Sequence, residues 1–265
     1  MTATRTPAPG RSTPWVAPID HDLAMRFAAT EYERGGEILA QLDAGQWSAP
    51  TVNTGWDVRA TAGHMVGMME MTSGLFPLIR QQVTAQRAAR RTGAPVSIDE
   101  LTALQVRLNA GLTVDQLIDR YRTLAPKAVR GRRRVPAAIR RRTLPERQIV
   151  NGQPERWTLG YLLDVILTRD PFMHRLDIHA ATGLPPRITA EHDGRIVDGV
   201  VREWAERHGK PYTLELTGPA GGHWSSGDGE PIRLDALDFC RIVSGRPAAA
   251  TKVEAAGLLT TAVPF

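Results

Sequence analysis

Between Thr158 and Gly183 the chain reads TLGYLLDVILTRDPFMHRLDIHAATG, and this stretch limits the fold more than any other. Leu159, Leu162, Leu163, Ile166, Met173 and Leu176 recur at helical spacing and make one apolar face, with Thr158 placed as the cap. Pro171 interrupts it, removing one hydrogen bond and crowding the carbonyl of Leu167. Asp170 can therefore cap a new segment that Pro171 begins, or the helix can continue with a kink; the two are compatible. In a helix, Asp170 and His174 project about 40° apart, one turn above the other, and both reach one point. A carboxylate and an imidazole so placed suit a divalent metal and supply two of the three protein ligands of an open site. The third must come from elsewhere in the chain.

Other helical stretches precede this one. Asp20 caps a helix running to about Asp43, with Leu23, Phe27, Ala28, Ile38 and Leu39 on its buried stripe. A second opens near Trp56 and Asp57 and runs to about Arg90, bent or interrupted at Gly74 and Pro77. His64 lies in its second turn between Gly63 and Gly67, small residues that let another helix or a ligand approach. Ser97 starts a short helix, and Thr113 caps a third long one with Leu117, Tyr121 and Leu124 on one face, kinked at Pro126. Beyond it the chain reads as irregular to Pro145 and as a loop over 146–157. Four long helices with one much longer connection predict an antiparallel bundle over residues 15–183, after an N-terminal arm over 1–14. After Gly183 the pattern changes. A helix over 189–208, strands at Tyr212, His223 and Pro231, a helix from Leu234 to Val243 and a last strand over 258–265 make a small α+β domain over 188–265. The fold class is thus α+β.

The chain has 265 residues, enough for two domains with real cores, and its one cysteine, Cys240, excludes a disulfide framework or a multi-cysteine metal site. Cys240 reads as a small buried residue. No apolar run matches a signal core or a membrane span, so the expectation is a soluble cytoplasmic protein without membrane contact. A net charge of +5 and a pI near 9.9 would permit an anionic partner. The excess is local, however: seven arginines and no acid lie between Arg130 and Arg142. That run lacks interleaved aromatics and any reading motif, so it reads as a solvated face or loop and argues against nucleic acid.

GWDVRATAGHMVG at 55–67, followed by TRDPFMHRLDIHAATG at 168–183, resembles the mycothiol-dependent maleylpyruvate isomerase family, whose N-terminal domain is a DinB-like four-helix bundle. LDALDFCRIVSGRP and the final LLTTAVPF are similar, more loosely, to that family's small C-terminal domain. The resemblance implies that His64, Asp170 and His174 bind a divalent metal, usually zinc. The family's best-known members carry glutamate where this chain has Asp170, one methylene shorter. The resemblance further implies mycothiol as cosubstrate: the metal activates its sulfur, which adds to a small electrophile, either to let a double bond rotate (isomerase) or to stay (S-transferase). The alternative is a noncatalytic metal or thiol binder on the same scaffold.

Arg246 stands where the family often has Gly-Arg, so it either holds a carboxylate of thiol or substrate or satisfies the last helical carbonyls. Asp177, one turn beyond His174, either orients its imidazole or pairs with an arginine. His179 lies about 140° around the helix from His174 and takes a surface or interdomain role. His21, His192 and His208 read as solvated, and His223 with Trp224 as strand packing.

Overall fold

The structure, a computed structural model, describes residues 13–94, 96–248 and 256–265. The arm expected over 1–14 lies outside the described residues except for Thr13 and Pro14. Contacts divide the chain into two compact units, one of residues 17–142, 159–187 and 265, the other of residues up to 16, 143–158 and 188–264. The fold class is α+β.

The first unit holds α1 (His21–Leu39), α2 (Ala44–Trp47), α3 (Val58–Thr72), α4 (Leu75–Thr92), α5 (Ile98–Asn109), α6 (Val114–Arg133), α7 (Ala137–Arg140) and α8 (Leu167–Thr182). Local chemistry sets several starts: Asp20 accepts from Leu23 N at 2.9 Å, Asp57 from Ala60 N at 2.7 Å, and Thr113 forms a reciprocal capping box with Gln116. The long helices α1, α3, α6 and α8 make the bundle. Asp164 meets His21 and Arg175 meets Glu31, so α8 runs parallel to α1. Arg59 reaches Leu112, and Gly131 lies against Thr72, so α3 and α6 run parallel to each other. Direction is therefore up, down, down, up. The parallel step from α3 to α6 needs a long return, which the α4 and α5 pair supplies. Ala24, Met25, Ala28, Met65, Met69, Leu117, Tyr121 and Ile178 pack in the middle.

The second helix is interrupted at Ser73 and Gly74 into α3 and α4, where the sequence predicts a bend or interruption. Other expectations are corrected. Helix α6 continues through Pro126 to Arg133, and Arg132 within the arginine run is only 1% exposed, not solvated. The fourth long helix contains a π-helix, Tyr161–Ile166, near its start, and the Thr158 hydroxyl donates to Trp15 O at 3.0 Å.

In the second unit, residues 146–157 contain a hairpin, β1 (Gln148–Val150) against β2 (Gln153–Glu155), turned at Asn151 and Gly152. Both turn residues have positive φ, the requirement that makes Asn-Gly a hairpin dipeptide. A π-turn, Ala190–Gly194, leads into α9 (Arg195–His208). The sheet has the order β4-β3-β5, with β3 (Tyr212–Thr217) antiparallel to β4 (Gly222–Ser226) and parallel to β5 (Pro231–Asp235). Helix α10 (Ala236–Val243) begins at Asp235, whose side chain accepts from Leu237 N and Asp238 N. The expected last strand is instead a 3-10 turn, Gly257–Thr260. Cys240 is buried. Among the described residues no helix is long and apolar enough to cross a membrane.

Candidate metal centre

Helix α3 brings His64, 2% exposed, to the bundle interior. Its flanking glycines admit a helix: a Cβ on Gly67 would lie 2.5 Å from Gln105 Cβ, and one on Gly63 would lie 3.4 Å from Asn109 Cβ. Asn109 Nδ2 donates to Gly63 O at 2.9 Å, and Gln81 Nε2 donates to Gly67 O at 3.0 Å, tying α3 to α5 and α4 on either side of the histidine's turn.

Asp170 and His174 share a face of α8, which contains Pro171 just past its first turn. A proline at 171 cannot donate to Leu167 O, which would otherwise stay unsatisfied inside the bundle. Arg132 supplies the missing donor, its Nη1 reaching Leu167 O at 2.9 Å. The same guanidinium donates to Tyr32 OH at 3.2 Å, to Thr168 Oγ1 at 2.6 Å and to Leu163 O in the π-helix. One buried arginine thus satisfies the irregular backbone on which Asp170 sits. Its neighbour Arg140 pairs with Asp164 at 2.9 Å, as does His21 at 2.8 Å.

The structure brings His64, Asp170 and His174 together. Asp170 Oδ1 lies 3.4 Å from Nε2 of His64 and 3.4 Å from Nε2 of His174, and the two imidazole centroids are 4.9 Å apart. A charge-assisted hydrogen bond would draw nitrogen and oxygen to about 2.7–2.9 Å. By contrast, donors about 2.1 Å from a tetrahedral ion stand roughly 3.4 Å apart. The observed spacing has that second value. Asp170 Oδ2 is buried with no hydrogen-bond partner, as is His64 Nδ1. Two neutral-capable nitrogens and a carboxylate oxygen, converging with a carboxylate lone pair unused, fit a divalent metal, and the shorter aspartate reaches the position.

Charge at the site follows from this proximity. Burial alone would push Asp170 up, but His174 and His64 outweigh it and hold the carboxyl far below the usual carboxylate range. Burial likewise disfavours a charged His174, yet Asp170, with Asp177 behind it, raises the ring to about 9. Trp56 closes one side, its ring 5.2 Å from that of His64 and 6.1 Å from that of His174.

The remaining candidates separate. Arg246 belongs to the other unit, where it follows α10; its Nη1 donates to Ser244 Oγ at 3.2 Å and its backbone N–H to Arg241 O at 2.7 Å. His179 faces Leu184 O at 2.9 Å. The histidines expected in solvent are engaged: His21 with Asp164, His192 buried, and His208 against the rings of Trp204 and Tyr212. Sequence reasoning missed Arg132 and the site-facing role of Trp56. Trp56 carried a signal in its position one residue before the cap of α3, whereas nothing distinguished Arg132 from its six neighbours in the run.

Residues 28–179, which include all three converging side chains, match the family model described as the mycothiol maleylpyruvate isomerase N-terminal domain. The chain is similar to a crystal structure of the mycothiol-dependent maleylpyruvate isomerase, with a TM-score of 0.51 and 13% identity over 87% of this chain and 91% of that one. A crystal structure of a histidine-to-alanine mutant of that enzyme gives a TM-score of 0.50 at the same identity and coverage. At that identity the likeness is one of fold. No curated protein matches the chain. The family match, spanning more than half of the sequence, shows that this chain belongs to the mycothiol maleylpyruvate isomerase N-terminal domain family.

Proposed function

We propose that the chain is a metal-dependent, mycothiol-using isomerase or S-transferase acting on a small electrophile, with His64, Asp170 and His174 as the metal ligands. The observation that carries this is the pair of 3.4 Å separations between Asp170 Oδ1 and the two Nε2 atoms. Zinc fits the donor set, and a divalent ion held there offers an open position at which a thiol is deprotonated near neutral pH. His64 and His174 present Nε2 from two different helices, so the backbone fixes both directions before any ligand arrives. Asp170 contributes the negative charge and keeps a second oxygen for a proton or an orienting contact. Trp56 excludes water from one side. The nucleophilic sulfur comes from the cosubstrate, because Cys240 is fully buried. Arg246 is the proposed anchor for a carboxylate of thiol or substrate, and a reducing cytoplasm is the compartment this chemistry requires.

Metal analysis of purified wild type beside His64→Ala and His174→Ala tests the reading. About one divalent ion per chain, lost in both variants, followed by saturable thiol binding and turnover of an electrophile, is the expected result. Metal and thiol binding without turnover of any electrophile would leave a noncatalytic binder, and no metal after incubation with zinc would refute the centre.

A further inference from the structure

Asp177 is 1% exposed, and a carboxylate so deeply buried is costly unless polar groups surround it. The adjacent Arg175 pairs with Glu31, at 2.8 Å through Nε and 3.1 Å through Nη2. Asp177 turns Oδ2 toward two groups of the candidate centre. His174 Nδ1 lies 3.4 Å away, and Asn53 Nδ2 donates to the same oxygen at 3.2 Å.

Asn53 belongs to the tight turn that carries Trp56. Thr51 N donates to Trp56 O at 2.9 Å, Trp56 N donates to Asn53 O at 2.9 Å, and Thr51 Oγ1 accepts from Asn53 N at 3.3 Å. These bonds hold the turn together, and Asn53 ties it to Asp177 of α8. We infer that Asp177 is a positioning residue that orients His174 and, through Asn53, seats the Trp56 wall against the same imidazole. This rests on the metal-centre reading proposed above.

The tautomer explains why a carboxylate is needed. With Nε2 of His174 directed at Asp170, the ring must carry its proton on Nδ1 for Nε2 to offer a lone pair. An acceptor beside Nδ1 selects that tautomer and fixes the ring plane. His174 Nδ1 is buried without a hydrogen-bond partner, and Asp177 Oδ2, 3.4 Å away, is the acceptor that a modest rotation of the ring would bring into range. Asn53 occupies the same oxygen, so a shift of the turn and a shift of the ring are felt at one atom.

The test is a cobalt(II) titration of the full chain, read by d–d absorption and by competition with a chelator, for wild type, Asp177→Asn, Asp177→Glu and Asn53→Ala. Asp177→Asn should weaken cobalt binding about 10- to 100-fold and alter the d–d spectrum, with Asp177→Glu recovering part of the loss. Asn53→Ala should weaken it less, while shifting the Trp56 emission, obtained by difference from Trp56→Phe, to longer wavelength. Melting of the metal-free proteins reports folding separately, and Asp177→Glu, which keeps the buried charge, serves if Asp177→Asn does not fold. Cobalt bound by wild type and Asp177→Asn within about twofold, with the same spectrum, would overturn this inference alone; so would an unmoved Trp56 emission in Asn53→Ala for the clamp. No cobalt bound by the wild type would overturn the metal-centre reading and this inference with it.

Discussion

Arg132 and Pro171 stand 39 positions apart, yet the structure makes each the reason the other is tolerated. Arg132→Met keeps length and apolar bulk while removing the donor to Leu167 O, along with those to Leu163 O, Thr168 Oγ1 and Tyr32 OH. Each buried group left without a partner costs about 1–3 kcal/mol, and breaking a buried charged network costs roughly 3–5 kcal/mol in all. Leu167 O accounts for about 1–2 kcal/mol of that. Pro171→Ala restores a backbone N–H aimed at Leu167 O, the helical i to i−4 pairing that proline denies. In the wild-type background the restored donor meets an oxygen already served by Arg132, and the alanine also loosens the unfolded chain, so the change is within about 1 kcal/mol of neutral. In the Arg132→Met background it serves an orphan. The double variant should therefore be about 1–2 kcal/mol more stable than the two single changes predict. Equilibrium urea unfolding of the four proteins, followed by far-ultraviolet circular dichroism, closes the cycle. Additivity within about 0.5 kcal/mol would refute the claim that Arg132 replaces the donor that Pro171 lacks.

Because His174 is raised to about 9 in the metal-free protein, zinc must displace its proton at neutral pH, so apparent affinity rises about tenfold per pH unit until about pH 9. Calorimetry in buffers of different ionisation enthalpy should show about one proton released, and a buffer-independent heat would contradict the pairing. The same shift has a stability sign: His174 contributes fully below its unfolded value near 6.5, and that contribution is lost as pH rises through about 9, which zinc-free melts between those limits would show. Glycine substitutions divide by surroundings. A Cβ on Gly131 would sit 2.0 Å from Thr72 O, so Gly131→Ala should destabilise by about 1–3 kcal/mol, whereas Gly111 has nothing within 4 Å and Gly111→Ala should be neutral or stabilising by up to about 1 kcal/mol. Melting temperatures moving in the same direction for both would refute the packing of α6 on α3.

What was legible in the sequence was what neighbours along the chain decide. Asp20 and Thr113 cap because the amide they serve lies three residues on, and Asp170 and His174 share a face because four residues nearly complete a turn. His64 joined them only through resemblance to a family, since no local pattern connects residue 64 to residue 170. Thr158 has a tie that no local pattern announces: its hydroxyl donates to Trp15 O, 143 positions away. The terminal segment over 258–265 has strand composition, yet its backbone leaves a 3-10 turn to donate from Val263 N to Val243 O beside α10. Tertiary partners override local preference wherever they satisfy a backbone group that the preferred element would leave open.

The arginine run shows how far such a partner can be from its signal. Seven arginines between 130 and 142 look alike in sequence, and a solvated stretch is the ordinary fate of such charge. Arg132 differs only because α6 continues through Pro126 and turns that one side chain inward, opposite a π-helix and a proline with carbonyls to spare. A lysine there would offer a point charge with three donors and no planar fork, too few and too close together to serve two backbone carbonyls, a threonine and a tyrosine at once. The irregular backbone of α8 therefore selects arginine. The same irregularity aims Asp170 at the two imidazoles, so the composition of a stretch that reads as surface is tied to the geometry of the centre it supports.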